Sequence, residues 1–303
     1  MAGNETQPIF GMDCYSPPEI EEKVEGLGVK KALMPFWPTF MLSIVAGGSI
    51  GLGGMYYTIV ASDPNLSFAV SKVIGGIAFC LGLVLVLVAG AELFTGNSLI
   101  VMAHANKQIT TGQVLRNWTI VWLGNLVGSL GLVFLLYMAH QQALNGGNVG
   151  TSLLKIGVAK VDQDWVTIFF KGILCNLMVC LAVWLGYAGR TVADKIVAIV
   201  LPISGFVAAG FEHCVANMYF LPYALVLKFT GQVPEGLDVS ALTMGAVVHN
   251  IIFATLGNIV GGGLLVGGIY WLIYRKSLGG LHPLPAKEVP TMKMKSGRAV
   301  AGR

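Results

Sequence analysis

Apolar residues run along the chain in six long stretches, roughly 37–61, 73–103, 118–139, 165–189, 196–227 and 240–274. A bilayer's hydrocarbon core, about 30 Å thick, needs about 20 mostly apolar residues per crossing helix, so each stretch is long enough to span it. The pattern predicts an all-α membrane protein with six transmembrane helices over residues 33–276. Ahead of the first stretch, Ser16-Pro17-Pro18-Glu19 joins a capping-box pattern to proline at the first helical positions, and Ile20, Val24 and Leu27 then fall on one face. Residues 1–32 are therefore expected to carry a short amphipathic helix, lying at the cytoplasmic interface or simply solvated. The segment 277–303 has Pro, Lys and Gly without periodicity and reads as a loose tail.

The second and fifth stretches are too long for the bilayer. Their 31 and 32 residues would make straight helices of about 46 to 48 Å, so each must kink or break. An internal repeat marks where. Ala89-Gly90-Ala91-Glu92-Leu93-Phe94-Thr95-Gly96-Asn97 and Ala209-Gly210-Phe211-Glu212-His213-Cys214-Val215-Ala216-Asn217 both read A-G-x-E-x4-N, 120 positions apart. Asn117 with Gly124-Asn125 likewise matches Asn250 with Gly257-Asn258, at an offset of 133. Spans two and three thus correspond to five and six. Three spans per half is an odd number, which forces the halves, about 33–140 and 164–276, into opposite orientations. Discontinuous helices paired across an inverted repeat are a common substrate site, with Thr95, Asn97 or Asn217 available to satisfy backbone groups freed at each interruption.

Composition agrees with the membrane reading. The 303 residues are 55% hydrophobic and 11% charged, with 40 glycines, which excludes a soluble domain of this size. No cleavable leader is recognisable, so the first span is expected to act as its own insertion signal. Five cysteines without a CxxC pattern point to free thiols, and neither a metal, a cofactor, a catalytic group nor a nucleic-acid partner is expected. Six spans place fourteen of the 19 Lys and Arg residues at the ends and in one set of loops, and leave five, Lys72, Lys155, Lys160, Lys171 and Lys228, on the other side. Both termini are therefore expected in the cytoplasm.

Among the carboxylates, Glu92 and Glu212 lie deep within apolar spans, at equivalent places in the two halves. An ionisable group at that depth is costly unless neutral, paired or hydrogen-bonded. Either they accept bonds from the opened backbone N–H groups of their own breaks, or they carry protons. His213 follows Glu212, whereas Leu93 stands at the equivalent position of the first half. An imidazole, with its ordinary pKa near 6.5, can pass a proton or bond an anion stripped of water; the plain alternative is a satisfied core histidine. If the breaks face each other, Thr95 can bond His213. Phe79, Leu83, Leu93, Phe94 and Phe206 are bulky enough to narrow a pore, though such residues are often ordinary packing. Lys160, read as part of the outer loop before span four, can concentrate anions at an entrance.

At these residues the sequence resembles the formate/nitrite transporter family over about Lys30 to Lys276, through Phe79-Cys80-Leu81-Gly82-Leu83, Glu92 to Asn97, Asn176 to Trp184, Gly210 to Met218 and Gly257 to Gly262. The resemblance implies a homopentamer in the cytoplasmic (inner) membrane of a bacterium or archaeon, each protomer holding its own pore in an aquaporin-like fold that passes small monovalent anions or their acids. By position His213 matches the family's central histidine, Thr95 the threonine of the broken second helix, and Lys160 the vestibule lysine. Asn176 and Asn258 match pore asparagines, and Phe79, Leu83, Leu93, Phe94 and Phe206 match two apolar slits. Segment 171–190 and the loop after span two look most similar to formate channels, while nitrite and hydrosulfide members share most of the same pore set.

The mechanism expected is attraction of formate by Lys160, protonation favoured by falling polarity, and His213 supplying or relaying the proton, so that neutral formic acid crosses. An uncoupled anion channel with a charged His213 is the competing version. A haem-carrying redox subunit, the rival of another class, needs two histidines facing each other at one depth; His104, His140 and His249 lie elsewhere in the spans.

Overall fold

A computed structural model describes residues 14–277. The tail expected over 277–303 lies, but for Ser277, outside the described residues. Helices α1 (Pro17–Leu33), α2 (Phe36–Ala61) and α3 (Phe68–Ala89) lead into a first interruption, after which a 3-10 turn (Gly96–Ile100) and α4 (Val101–Ala105) complete the crossing. Then come α5 (Thr111–Met138), α6 (Asn148–Val161), α7 (Trp165–Ala188) and α8 (Val192–Ala208). A second interruption separates α8 from α9 (Cys214–Phe229), and α10 (Met244–Asn258) runs through a π-helical stretch (Ile259–Gly268) into α11 (Ile269–Ser277). No strand occurs among the described residues.

Local chemistry sets these ends. The Ser16 backbone N–H and hydroxyl both donate to the Glu19 carboxylate at 2.7 Å, starting α1 as its capping box predicts. The Ser67, Thr110, Asp164, Thr191 and Thr243 side chains accept first-turn N–H groups of α3, α5, α7, α8 and α10. Each interruption opens with a left-handed glycine, Gly90 at φ +77° and Gly210 at φ +71°, a conformation that a Cβ disfavours.

Among the described residues, five helical runs are long and apolar enough to cross a membrane: α2, α3, α5, α7 and the continuous Met244–Tyr274. The expected fifth span at 196–227 is not among them. It is split into half-helices of 17 and 16 residues, α8 and α9, each too short to cross alone. The segment read as outer loop also differs, because residues 148–161 form α6 and Lys160 sits in its last turn.

α2 packs along α3 and α5, α3 on α8, and α7 on α8 and α10, while α9 passes between α2, α5, α6 and α10. Hydrocarbon tails give helices no hydrophobic drive to associate, so close backbone contact must supply it. Gly124-x3-Gly128 of α5 meets the Phe40 and Ile44 carbonyls of α2, and Gly257-x3-Gly261, running from α10 into the π-helical stretch, meets Phe169 and Ile173 of α7, with no room for a Cβ at any of the four. Leu201, Phe134, Leu135 and Phe170 leave the outside of the bundle apolar. α1 turns Ile20 and Val24 inward, with Leu27 half-buried, and packs on the segment after the first interruption, on α5 and on α7 rather than standing apart as a solvated helix.

Candidate functional site

Opening a helix frees backbone groups that need partners inside a membrane. Two asparagines provide them in the same way. Asn125 Oδ1 accepts the Phe94 N–H at 2.9 Å, and its Nδ2 donates to the carbonyls of Ser43 and Glu92 at 2.8 and 2.9 Å. In the other half Asn258 Oδ1 accepts the Cys214 N–H at 2.9 Å, and its Nδ2 donates to Gly172 and Glu212 at 2.8 and 2.9 Å. The N–H of each glutamate reaches a neighbouring helix, Glu92 to the Leu42 carbonyl and Glu212 to that of Lys171.

The two glutamate side chains are 3% and 1% exposed. Their carboxylates do not bond the opened backbone, one of the two roles expected for them. Glu92 accepts from Lys31 Nζ at 2.8 Å and Asn97 Nδ2 at 2.7 Å; Glu212 accepts from Lys160 Nζ at 3.1 Å on both oxygens and from Asn217 Nδ2 at 2.6 Å. Asn97 and Asn217 also donate to Asn117 and Asn250, whose own Nδ2 groups return to the carbonyls of Lys31 and Lys160. These closed networks neutralise each buried carboxylate with an ammonium. They also make α1 and α6 counterparts, a relationship missed in the sequence. Its trace is Gly28-Val29-Lys30-Lys31 against Gly157-Val158-Ala159-Lys160, G-V-x-K at an offset of 129.

Two cavities of about 260 Å³ each approach the interruptions from opposite ends. The first is walled by Lys31, Glu92, Asn97 and Tyr187 and reaches Leu83 and Leu93; the second is walled by Lys72, Lys160, Gln163 and Glu212 and reaches Phe79, Phe206 and His213. Phe79 and Leu83 are one turn apart on α3, so roughly 6 Å of helix rise separates the two ends. Phe79 meets Phe206 edge to face at 5.8 Å, and Phe206 stacks on the His213 ring at 5.9 Å.

In this neck His213 and Thr95 meet. His213 Nε2 lies 3.1 Å from Thr95 Oγ1, and both residues are buried. His213 is the N-cap of α9, where its Nδ1 accepts the Ala216 N–H at 3.0 Å. An Nδ1 that accepts leaves the neutral ring's hydrogen on Nε2, which then donates to Thr95. Leu93, the counterpart, has no acceptor, and the segment after it begins as a 3-10 turn.

A family profile described as "Formate/nitrite transporter" matches residues 18–272 of this arrangement. The chain belongs to the formate/nitrite transporter family. It is 41% identical over 273 residues to formate channel FocA of Escherichia coli (strain K12), an alignment covering 86% of this chain and 95% of that one. Among solved structures it is similar to one described as a pentameric formate channel with formate bound, with a TM-score of 0.73 and 40% identity over 79% of this chain and 97% of the other. A second, described as an FNT family ion channel, gives a TM-score of 0.75 and 30% identity over 84% and 98%. This formate/nitrite transporter is thus a multi-pass membrane protein whose relatives are channels and transporters.

Within this family member the expected site residues fall into groups. His213, Thr95, Phe79, Phe206, Leu83 and Leu93 converge on the neck, and Lys160 on the second cavity. Phe94 does not line either cavity: its ring lies edge-on to Trp118 at 6.2 Å, in a shallow outer groove with Trp122 and Thr255. Asn176 and Asn258 also stay off both cavity walls. Asn176 Nδ2 donates to the carbonyls of Thr95 and Asn258 and to Ser98 Oγ, at 3.2, 2.7 and 3.1 Å, tying one interruption to the bracket of the other.

Proposed function

We propose that the chain is a formate channel that assembles as a homopentamer, with a pore in every protomer and both termini on the cytoplasmic side of the inner membrane. The relatives named as formate channels and the pentameric formate-bound neighbour support the substrate and assembly. The lysine and arginine distribution supports the orientation, which makes the first cavity cytoplasmic and the second one outer. The work done is passage, with no bond made or broken in the substrate beyond a proton.

The contact that carries the proposal is Thr95 Oγ1 to His213 Nε2, a single titratable ring in an apolar neck between two lysine-bearing cavities. Lysine attracts the anion on either side. Bare formate then faces Phe79 and Phe206 or Leu83 and Leu93, where an isolated charge costs several kcal/mol even after relaxation. Taking up a proton removes that cost, so formic acid crosses the neck. His213 relays the proton: Nε2 gives its hydrogen to the formate oxygen while Nδ1 releases the Ala216 N–H and takes up a proton from solvent entering the outer cavity, which leaves the ring neutral. The Ala216 bond supports a neutral resting ring over a permanently charged one, because a protonated Nδ1 has no lone pair for that N–H.

The test is formate uptake and formate-linked proton movement in proteoliposomes, wild type against His213→Asn, with nitrite, hydrosulfide and lactate as competing substrates. Formate preferred and coupling lost in the variant is the expected result. Unchanged coupling overturns the relay, and preference for nitrite or hydrosulfide overturns the substrate.

A further inference from the structure

Three of the five lysines assigned to the outer face converge on the second cavity: Lys72 of α3, Lys160 before α7 and Lys171 of α7. Lys160 is neutralised by Glu212. The other two have neutral partners. Lys72 Nζ donates to the Tyr57 hydroxyl at 3.4 Å, and Lys171 Nζ to Gln163 Oε1 at 2.7 Å. Glu212 is the sole acidic residue lining this cavity, and its carboxylate is taken up by Lys160. All three lysines are half-buried, so solvent screens them less than free surface charges.

The internal repeat supplies a control for this surplus. Lys31 and Lys160 are counterparts, but Leu42 occupies the place of Lys171: the Leu42 carbonyl accepts the Glu92 N–H as the Lys171 carbonyl accepts that of Glu212. In the first cavity the only cation beyond Lys31 is Lys30, which is exposed. The neck chemistry therefore does not require Lys171, and the second cavity holds two ammoniums that no carboxylate answers.

We propose that Lys72 and Lys171 form an anion-holding site in the outer cavity, distinct from the Lys160–Glu212 pair, that takes compact dianions such as a short dicarboxylate or sulfate. A formate ion answers one of the two charges; a dianion answers both and is held more tightly. Such an ion keeps a charge after one protonation step and does not pass the neck, so it occupies the outer cavity and blocks formate from that face. The blocking role rests on the formate-channel reading above.

Right-side-out and inverted membrane vesicles carrying the full chain test this, with formate uptake measured against added oxalate or sulfate at ionic strength balanced by gluconate. Each rate is taken relative to the same variant's uninhibited rate. Both dianions should inhibit right-side-out vesicles, at concentrations at least tenfold lower than inverted ones. In Lys72→Gln/Lys171→Leu, whose leucine copies Leu42, the half-inhibitory concentration should rise at least tenfold, while Lys155→Gln, an exposed outer lysine off the cavity wall, should not shift it. Equal block in the double variant, an equal shift in Lys155→Gln, or block by oxalate without block by sulfate overturns the site. Binding is read separately as the thermal stabilisation of purified pentamer by oxalate, which the double variant should lose. That readout needs no flux, so a wild type that passes no formate condemns the channel reading while the site stands or falls on its own.

Discussion

Ala216 donates its N–H to Nδ1 of His213 across 3.0 Å, so the ring that faces Thr95 is also the cap of the half-helix behind it. These two duties separate by substitution. Asparagine at 213 keeps an acceptor for the first turn of α9 but cannot reach Thr95; phenylalanine keeps the ring shape and loses the cap. Both variants should lose proton-coupled formate movement, and Phe should be less stable than Asn by about 1 kcal/mol, the usual worth of an N-cap. Thermal unfolding of the purified variants, beside the flux assay, checks the difference. Equal stability of the two would mean that the Ala216 bond contributes little.

The two lysine–glutamate pairs have the same partners in different arrangements. Lys31 divides its ammonium between Glu92 and Asn97 Oδ1, at 2.8 and 2.9 Å. Lys160 places its ammonium on both oxygens of Glu212, and Asn217 Oδ1 has no partner. Glu212→Gln thus removes the carboxylate paired with Lys160 and should destabilise by about 3 kcal/mol, the low end for breaking a buried pair. Glu92→Gln should cost about 1 kcal/mol less, since Lys31 keeps its bond to Asn97. Adding Lys160→Met to Glu212→Gln should recover much of the loss, and a double-mutant cycle on thermal unfolding measures it. No recovery would show that the lysine is held by something other than the glutamate.

Much of this was legible in the chain itself. The A-G-x-E-x4-N pair located both interruptions because each half turns on a left-handed glycine and ties its buried acid to the motif asparagine, although the freed backbone groups are met by Asn125 and Asn258 rather than by Asn97 and Asn217. Asn125 and Asn258 were visible as repeats, but which atoms they bracket was not, since that depends on how α2 and α7 pass them. α1 and α6 were missed as counterparts: they share only Gly-Val-x-Lys, and one is rich in Glu and Lys while the other is largely apolar. Phe94 matches a slit residue through the family resemblance, by position alone. Phe94 begins the turn into the 3-10 segment, and its ring lies against Trp118 instead.

Gly90 and Gly210 isolate backbone strain from packing. Both hold positive φ, and a Cβ on either would meet nothing within 4 Å. Alanine at either position should therefore cost roughly 1–2 kcal/mol through the left-handed conformation alone. Asparagine, which tolerates that region better, should cost less. Thermal midpoints of Gly210→Ala and Gly210→Asn decide it: an alanine variant as stable as wild type would mean that the interruption relaxes to negative φ.

Acid sensitivity should begin at the helix starts outside the membrane. Asp164 is exposed, and its carboxyl is held below the ordinary aspartate value by the Thr167 N–H, then the Thr167 hydroxyl and the Val166 N–H. Asp194 is held down in the same direction by the Thr191 N–H and hydroxyl and then by the Arg190 N–H. A carboxyl whose pKa is lower folded than unfolded adds stability above its unfolded value and loses it as pH falls through the folded one. The two aspartates should therefore contribute fully at neutral pH and progressively less below about pH 4. Asp164→Asn/Asp194→Asn keeps capping acceptors but removes the titration, so its thermal midpoint should fall less steeply than wild type between about pH 4 and pH 2.5. Parallel curves across that range would place the acid-sensitive groups elsewhere.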